Sequence, residues 1–228
     1  MKKGKLYGLG VGPGDPELLT LKAVRLLKEA DVVAVPDKGS GKKTALQIVK
    51  SFVEGKELLF CPTPMLRDRS AWDQHHEKVA DDICGLLDAG KTVSFITLGD
   101  PTIYSTYIYI HKKVAARGYE AELVPGVPSF CAAAARLGQS LCENTERLLI
   151  VPASCQLQDS MDIKANKVFM KAGSNMKSLQ LQLEQNGLLE NASMVENCSM
   201  ENERVYAHFG DMQEDSGYFS LVIVKDPR

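Results

Sequence analysis

The amino-acid sequence predicts an α/β protein made of two α/β domains. In the first half, apolar segments of strand length alternate with amphipathic segments of helix length, which is typical of a mostly parallel sheet. In the second half, five strand-like segments accompany one clear helix, which favours hairpins and a mixed sheet. We place the domain boundary near Gly118, so that the domains span residues 1–118 and 119–228.

The first predicted domain opens with a strand over residues 5–10 that ends in glycines. Asp15, Pro16 and Glu17 then indicate a helix start, with a capping carboxylate, a proline at the first helical position and an acid in the first turn. Apolar residues recur at helical spacing from there to Ala30. The remaining predicted elements are strands at 32–35, 58–60 and 92–98, helices at 44–52, 72–89 and 103–116, and a loop at 61–70.

The second predicted domain is richer in strands. Residues 121–124 form its first predicted strand, and Ser129 is placed to cap a helix of small residues over 131–137. The only other helix with good periodicity is 176–185. The remaining predicted strands are 147–151, 167–170, 192–196, 204–208 and 219–224.

Composition and charge exclude several classes of protein. The 228 residues carry 27 Lys and Arg against 29 Asp and Glu, so the basic excess typical of a nucleic-acid-binding surface is missing. No apolar stretch approaches the ~20 residues of a membrane span, and no apolar segment follows Lys2 and Lys3 as in a signal peptide. The 6 cysteines are scattered and form no CxxC pair, which favours reduced thiols and the cytoplasm. His75 and His76 point to different sides of a predicted helix, so we expect no metal site.

The first motif is the glycine-rich turn GLGVGPGD at residues 8–15, between a strand and a helix. A dinucleotide-binding turn occupies the same place in its fold, but three features differ here. The glycines are out of G-x-G-x-x-G register, Pro13 removes a backbone N–H, and Asp15 puts a negative charge where a pyrophosphate would bind. The turn therefore suits a neutral or cationic ligand, although a tight turn that needs glycine for its backbone angles would leave the same pattern.

The second motif, LGDPTIYST at residues 98–106, follows a predicted central strand. Ligands of open α/β sheets bind beyond such strand ends. Gly99 would let a ligand approach the backbone, and Asp100 could accept ribose hydroxyls or face a positive sulfur. Alternatively, Asp100 caps a helix that has Pro101 at its first position. The third motif, VPGVPSF at 124–130, is by itself no more than a strand-to-helix turn.

Together and in this order, the three turns resemble the signatures of the tetrapyrrole methylase family. The segments GLGVGPGDPELLTL, GDPTIYSTY and PGVPSF carry the resemblance, and YFSLVIV at 218–224 is similar to the last strand of that family. The GDPTIYSTY form and the YFS ending are most similar to the branch that methylates C(20) of precorrin-2, free or as its cobalt complex. The resemblance implies two α/β domains with the active site in the cleft between them, a homodimer, and methyl transfer from S-adenosylmethionine to a ring carbon on the route to cobalamin.

The resemblance also implies which residues contact S-adenosylmethionine. In the three turns these are Pro13, Leu98, Gly99, Asp100, Ile103, Ser105, Thr106, Ser129 and Phe130. In the second domain, Met170 or Lys171 would lie along the adenosine, and the 196–198 region with Asn197 would be close by. Many relatives have a small hydroxyl residue where this chain has Pro128, which removes a side-chain hydrogen bond from that position.

The implied chemistry does not require a strong catalytic base. A meso carbon of the tetrapyrrole is already nucleophilic, so the protein has mainly to align it with the methyl group and exclude water. One proton must still leave that carbon, and Asp100, Tyr104 and a bound water are open alternatives as its acceptor. The substrate carboxylates should pair with basic side chains, for which the candidates are Lys38, Arg67, Arg69 and Arg136.

Four other functions are compatible with parts of this pattern. A family member could methylate a different ring carbon, or bind cofactor or tetrapyrrole without turnover. The diphthine synthase branch has the same fold, and the GDPTIYSTY form argues against it. A nucleotide-dependent oxidoreductase would need the glycine register that Pro13 and its neighbours break.

Overall fold

The structure, a computed structural model, describes residues 3–37, 39, 43–64, 68–153, 157–212 and 217–227. The chain divides into two compact units, Met1–Pro128 and Ser129–Arg228. Each unit contains a five-stranded sheet with helices packed on it. The predicted α/β class is therefore confirmed.

The first unit is built on a parallel sheet whose strand order is β3-β2-β4-β1-β5. Because all five strands run the same way, their carboxyl ends lie along one edge, with β1 between β4 and β5. The strands are β1 (Leu6–Gly10), β2 (Val32–Asp37), β3 (Glu57–Pro62), β4 (Val93–Thr97) and β5 (Ala121–Val124).

Helices cover both faces of this sheet, which explains the unbroken apolar run in β2. Val32 and Ala34 belong to the core beneath the third and fourth helices, whereas Val33 and Val35 belong to the core beneath the first two. Alternate side chains of a strand point to opposite faces, so a strand covered on both sides has no polar position. The helices are α1 (Leu21–Glu29), α2 (Thr44–Val49), α3 (Arg69–Asp88) and α4 (Tyr107–Ala116).

The first unit extends past Gly118, where the sequence placed the boundary, to Pro128. The reason is the strand over residues 121–124: it has the predicted bounds, but it pairs with β1 and completes the first sheet. Strand bounds follow from local sequence, whereas the choice of neighbour depends on contacts that the local pattern does not contain.

Two helices begin later than predicted, and a hydroxyl side chain that accepts a backbone N–H lies just before the start of each. Residues Pro16–Leu18 form a separate 3₁₀ turn, and Thr20 Oγ1 accepts the N–H of Ala23 at 3.1 Å to start α1. The helix expected from residue 103 begins at Tyr107, whose N–H donates to Ser105 Oγ at 3.2 Å. Asp100 is therefore not the cap of a helix at Pro101, and residues 100–106 remain in turns.

The second unit has a mixed sheet in the order β6-β7-β10-β8-β9, in which β6 and β7 are parallel and the other pairs antiparallel. Ser129 is the first residue of a helix and not the residue before it, and a short helix at residues 158–161 has no counterpart in the sequence analysis. The elements are α5 (Ser129–Arg136), β6 (Leu148–Pro152), α6 (Gln158–Met161), β7 (Asn166–Met170), α7 (Met176–Gln185), β8 (Ala192–Glu196), β9 (Arg204–Tyr206) and β10 (Ser220–Val224).

Within the described residues, no helix is both long and apolar enough to cross a membrane. Of the six cysteines, Cys155 lies outside the described residues. The other five are free thiols, at positions 61, 84, 131, 142 and 198.

We expect His76 to make the first unit sensitive to acid. The ring is 1% exposed, and its Nδ1 lies 2.6 Å from the Trp72 carbonyl oxygen, so Nδ1 donates; Nε2 has no partner among the described residues. Burial lowers the pKa of His76 below 6.5. Below about pH 6.5 the imidazole is protonated in the unfolded chain but stays neutral in the folded chain. The free energy of unfolding therefore falls by at most about 1.4 kcal/mol for each unit by which the pH is lowered.

Chemical denaturation at pH 5.5 to 8 measures this effect, with His76→Phe as the comparison. The wild-type free energy of unfolding should fall towards pH 5.5 more steeply than that of the variant. Parallel curves over the whole range would show that His76 does not carry the acid sensitivity.

Candidate functional site

The three glycine motifs meet at the carboxyl ends of β1, β4 and β5. A Cβ atom on Gly126 would lie 2.3 Å from the Gly99 carbonyl oxygen, and one on Gly10 would lie 2.5 Å from the Gly126 nitrogen. These distances are too short for any side chain, so three backbone segments touch directly. Gly12 and Gly99 also exchange hydrogen bonds, at 2.8 Å from Gly99 N to Gly12 O and 3.3 Å in return.

Asp100 joins the second motif to the third. Its Oδ2 accepts the N–H of Gly126 at 3.0 Å, across 26 residues of sequence. Its Oδ1 accepts the N–H of Thr102 at 2.8 Å and the Thr102 hydroxyl at 2.5 Å. The residue is 8% exposed, so this carboxylate is a buried charge held by three donors.

We call the residues that touch here, Gly10, Gly12, Gly99 and Gly126, the glycine cluster, and the N–H groups of the last three are already bonded. The N–H of Val11 donates to the Thr97 carbonyl at 3.0 Å, and those of Gly12, Gly99 and Gly126 donate as described above. Asp15 Oδ1 accepts the N–H of Glu17 at the short turn that follows. A phosphate-binding loop needs free N–H groups aimed at the anion, so this arrangement does not suit a pyrophosphate.

A second pair of hydroxyls lies behind the motifs. Thr97 Oγ1 and Ser105 Oγ are 2.8 Å apart and buried, and Ser105 also accepts from Tyr107 N. The Tyr107 ring covers Gly8 so closely that a Cβ there would lie 1.9 Å from a ring carbon. Burial raises the pKa of Tyr107, which keeps its hydroxyl protonated. Ser105 and Tyr107 therefore fix the start of α4 against β1.

The other predicted residues of the first unit lie along the same edge. Pro13 is buried directly after the Gly12–Gly99 bridge, and Leu98 is half-buried directly after β4. Ile103 is half-buried and donates its N–H to the Asp100 carbonyl at 3.3 Å, while Thr106 is half-buried before α4. Tyr104 is 46% exposed and has a left-handed backbone, with φ of 47°. A non-glycine residue in that conformation is strained, and such strain clusters at functional sites.

Three predicted residues of the second unit lie at one end of its sheet. Met170 ends β7, where it pairs with Leu221 of β10, and Lys171 follows it. Asn197 follows β8, and its N–H donates to the Phe219 carbonyl at 3.0 Å, just before β10. Lys171 and Asn197 both have left-handed backbones, with φ of 58° and 50°. The antiparallel pairing thus brings both strained residues to the start of β10.

The remaining two predicted contacts are at the start of α5. Ser129 is half-buried and Phe130 is buried, and α5 packs against β8 and β10.

Of the basic residues expected to bind the substrate carboxylates, Lys38 and Arg67 lie outside the described residues. Arg69 is exposed in the first turn of α3, and Arg136 pairs with Glu203.

Sequence reasoning missed the groups that hold these residues in place: it gave no role to Thr97 or Thr102, and it named Glu196 only within a region, 196–198, expected close to the adenosine. Thr102 is two residues after Asp100, a spacing that permits the observed side-chain turn. Glu196 is an acid at the end of an otherwise uncharged buried strand, and such an acid requires a partner. Thr97 leaves no signal in the sequence, because its partner Ser105 is defined only by the turn between them.

The described residues contain no group of three His, Cys, Asp or Glu side chains able to hold a metal ion. They do fit S-adenosylmethionine, on two observations. That molecule carries no phosphate, so it does not need the free N–H groups of a pyrophosphate-binding loop, and its positive sulfur is compatible with the nearby carboxylate of Asp100.

Comparison with known proteins gives the same picture. Residues 5–212 match the family model described as Tetrapyrrole (Corrin/Porphyrin) Methylases. A probable cobalt-precorrin-2 C(20)-methyltransferase of Methanocaldococcus jannaschii is 36% identical, over 97% of this chain and 96% of the relative. A precorrin-2 C(20)-methyltransferase of Sinorhizobium sp is 31% identical, over 97% and 95%. The fold matches a uroporphyrin-III C-methyltransferase of Thermus thermophilus complexed with S-adenosyl homocysteine, with a TM-score of 0.72, 23% identity and 98% of both chains covered.

We expect Gly126→Ala to disrupt the glycine cluster. The added methyl group would lie 2.3 Å from the Gly99 carbonyl oxygen, so the third motif must move away and its bond to Asp100 must lengthen or break. Thermal unfolding should show a loss of several degrees, since strain and a lost buried hydrogen bond each cost about 1–3 kcal/mol.

Gly85→Ala is the matched control in the same unit. Gly85 lies inside α3 with nothing within 4 Å of its added Cβ, so this change should leave stability equal or up to about 1 kcal/mol higher. Equal melting temperatures for the two variants would contradict the close approach of Gly126 and Gly99.

Proposed function

The chain belongs to the tetrapyrrole (corrin/porphyrin) methylase family, and on that premise we propose that it transfers a methyl group from S-adenosylmethionine to C(20) of precorrin-2 or its cobalt complex, in cobalamin biosynthesis. The observation that supports this cofactor is the glycine cluster, in which the N–H groups of Gly12, Gly99 and Gly126 are already bonded beside a buried carboxylate. The choice of C(20) as the acceptor carbon is supported by the names of relatives that match this chain along nearly its whole length.

The contribution of this chain is positioning. When bound, S-adenosylmethionine would supply a methyl group on a positively charged sulfur, and the electron-rich acceptor carbon would lose one proton in exchange. The directly packed backbones of Gly10, Gly99 and Gly126 make a rigid wall that has no side chains to displace. Rigid alignment of two reactants and exclusion of water together account for much of the acceleration that such a transfer needs.

Asp100 and Tyr104 have different proposed roles. A carboxylate has about four acceptor positions, and three of those on Asp100 are filled by Thr102 and Gly126. We therefore propose that Asp100 holds the turn and faces the positive sulfur, and that the proton leaves through water next to Tyr104, whose side chain is 46% exposed.

In the second unit, Met170, Lys171 and Asn197 are proposed to contact the adenosine part, and Ser129 and Phe130 the remainder of the cofactor. The resemblance and the strained backbones at Lys171 and Asn197 support this assignment. We further propose that the chain acts as a homodimer in the cytoplasm. The resemblance supports the dimer, and the five free thiols support a reducing compartment.

A methyl-transfer assay tests the function. Purified protein and S-adenosylmethionine are mixed anaerobically with cobalt-precorrin-2 in one tube and metal-free precorrin-2 in another, and products are followed by mass spectrometry. We expect a gain of one methyl group, faster in the cobalt tube because the relative of higher identity is named for that substrate.

NMR of the product would place the methyl group. A methyl on another carbon would move the chain to a different branch of the family. No gain in either tube, with S-adenosylhomocysteine binding intact, would contradict both substrates and favour a binder without turnover. No binding at all would overturn the methyltransferase assignment.

Two substitutions at Asp100 separate positioning from proton transfer. Asparagine can still accept from the Gly126 N–H through its amide oxygen, so Asp100→Asn should keep kcat within about tenfold of wild type. Asp100→Ala removes the acceptor and should weaken cofactor binding strongly. General base catalysis is worth about 10²–10⁴-fold, so a loss of that size in Asp100→Asn, with cofactor binding intact, would identify Asp100 as the proton acceptor.

Tyr104→Phe, measured in parallel, should lower kcat without changing KM for S-adenosylmethionine.

A further inference from the structure

Glu196 is a buried carboxylate that the proposed reaction does not use. It is the last residue of β8 and is 2% exposed. Its Oε1 accepts the N–H of Gly217 at 2.5 Å, and its Oε2 accepts from Arg204 Nε at 2.7 Å and Nη2 at 2.5 Å. The guanidinium of Arg204 lies against this carboxylate, so the buried acid has a basic partner.

The hydrogen bond between Glu196 and Gly217 links the end of β8 to the segment that precedes β10. A Cβ on Gly173 would lie 2.4 Å from the Gly217 carbonyl oxygen, so these two backbones touch. Ser220 Oγ donates to the same carbonyl oxygen at 2.7 Å. Gly173 is two residues beyond Lys171, and Gly217 leads into β10. Glu196 thereby ties together the segments that leave β7 and β8 and the segment that enters β10.

Two strained residues lie on the segments tied in this way. Lys171 follows β7 and Asn197 follows Glu196 itself, and both have φ in the left-handed region. For a residue with a side chain, that conformation costs about 1–3 kcal/mol and persists only where the surrounding structure enforces it. The contacts of Glu196 with Gly217, and of Gly217 with Gly173, bear on the segments that hold both residues.

A second buried ion pair in the same unit provides the comparison. Lys167 and Asp226 are 0% and 1% exposed at their side chains and lie 2.6 Å apart. Lys167 is near the beginning of β7 and Asp226 is just past the end of β10, so this pair lies at the opposite end of the sheet. Asn144, with φ of 46°, lies in the loop 141–146 that bonds to Asn166 and Lys225, the chain neighbours of this pair, and none of the proposed cofactor contacts lies on that loop.

We propose that Glu196 is a positioning residue for the adenosine part of the cofactor. By holding Gly217 against Gly173, it fixes the backbones of Lys171 and Asn197 in the conformation that contacts the cofactor. This inference rests on the proposed function, because it takes those two residues as cofactor contacts.

Calorimetric titration with S-adenosylhomocysteine tests the proposal. Glu196→Gln keeps an acceptor for Gly217 but puts an uncharged group against Arg204, so the anchor loosens. We expect the Kd to rise about tenfold to a hundredfold, the scale seen when an outer partner of a binding site is removed. In the methyl-transfer assay, KM for S-adenosylmethionine should rise while kcat at saturation stays near wild type.

Asp226→Asn is the matched control, since it neutralises a buried carboxylate at the far end of the same sheet. It should lower the melting temperature yet leave the Kd within about twofold, below the tenfold step of 1.4 kcal/mol. Equal Kd changes in the two variants, or none in either, would reduce Glu196 to a stabilising ion pair and overturn the proposal.

Gly173→Ala serves if Glu196→Gln does not fold. Its methyl group would push Gly217 away without changing any charge, so it should raise the Kd in the same way, and an unchanged Kd would overturn the proposal. Absence of binding by the wild-type protein is a distinct result, which would overturn the proposed function and this inference with it.

Discussion

Direct contact between the backbones of Gly10, Gly99 and Gly126 is the constraint on which the first unit depends. Strand order puts β1 between β4 and β5, so the turns that leave these strands arrive at one point. Side chains would keep them apart, and the glycines let them touch. Where they touch, Gly12 and Gly99 exchange N–H···O=C hydrogen bonds, and the N–H of Gly126 donates to the Asp100 carboxylate. The same glycine contacts therefore hold this edge of the sheet together and determine which hydrogen-bonding groups the edge presents.

The second unit has a similar contact between a buried carboxylate and a glycine, at the end of its own sheet. There a buried carboxylate, Glu196, accepts the N–H of Gly217, which presses against Gly173. In both units a charge at a strand end holds a distant glycine, and a residue with left-handed backbone stands close by, Tyr104 in one and Asn197 in the other. Burying a carboxylate is unfavourable unless its partners are well placed, so these two positions are specific as well as stable.

Much of this could be predicted from the sequence, and the failures share a cause. The strands 121–124 and 192–196 have the predicted bounds because apolar runs between turn residues are local signals. The partner of the first of these was not predictable, because strand pairing is not local. The helices at Leu21 and Tyr107 start later than predicted because a separate 3₁₀ turn precedes the first, which Thr20 caps, and residues 100–106 form turns before the second. The glycine motifs were found through their composition, whereas Thr97 and Glu196 depend on partners brought together only by folding.

We infer that the glycine cluster accepts a cofactor without phosphate, because the N–H groups of Gly12, Gly99 and Gly126 are already bonded. Side-by-side calorimetric titration of the wild-type protein with S-adenosylhomocysteine and with NAD⁺ tests this inference most directly. We expect saturable binding of S-adenosylhomocysteine at one site per chain and no heat from NAD⁺. Binding of NAD⁺ that competes with S-adenosylhomocysteine would show that the loop can still bind a pyrophosphate, and it would contradict the inference.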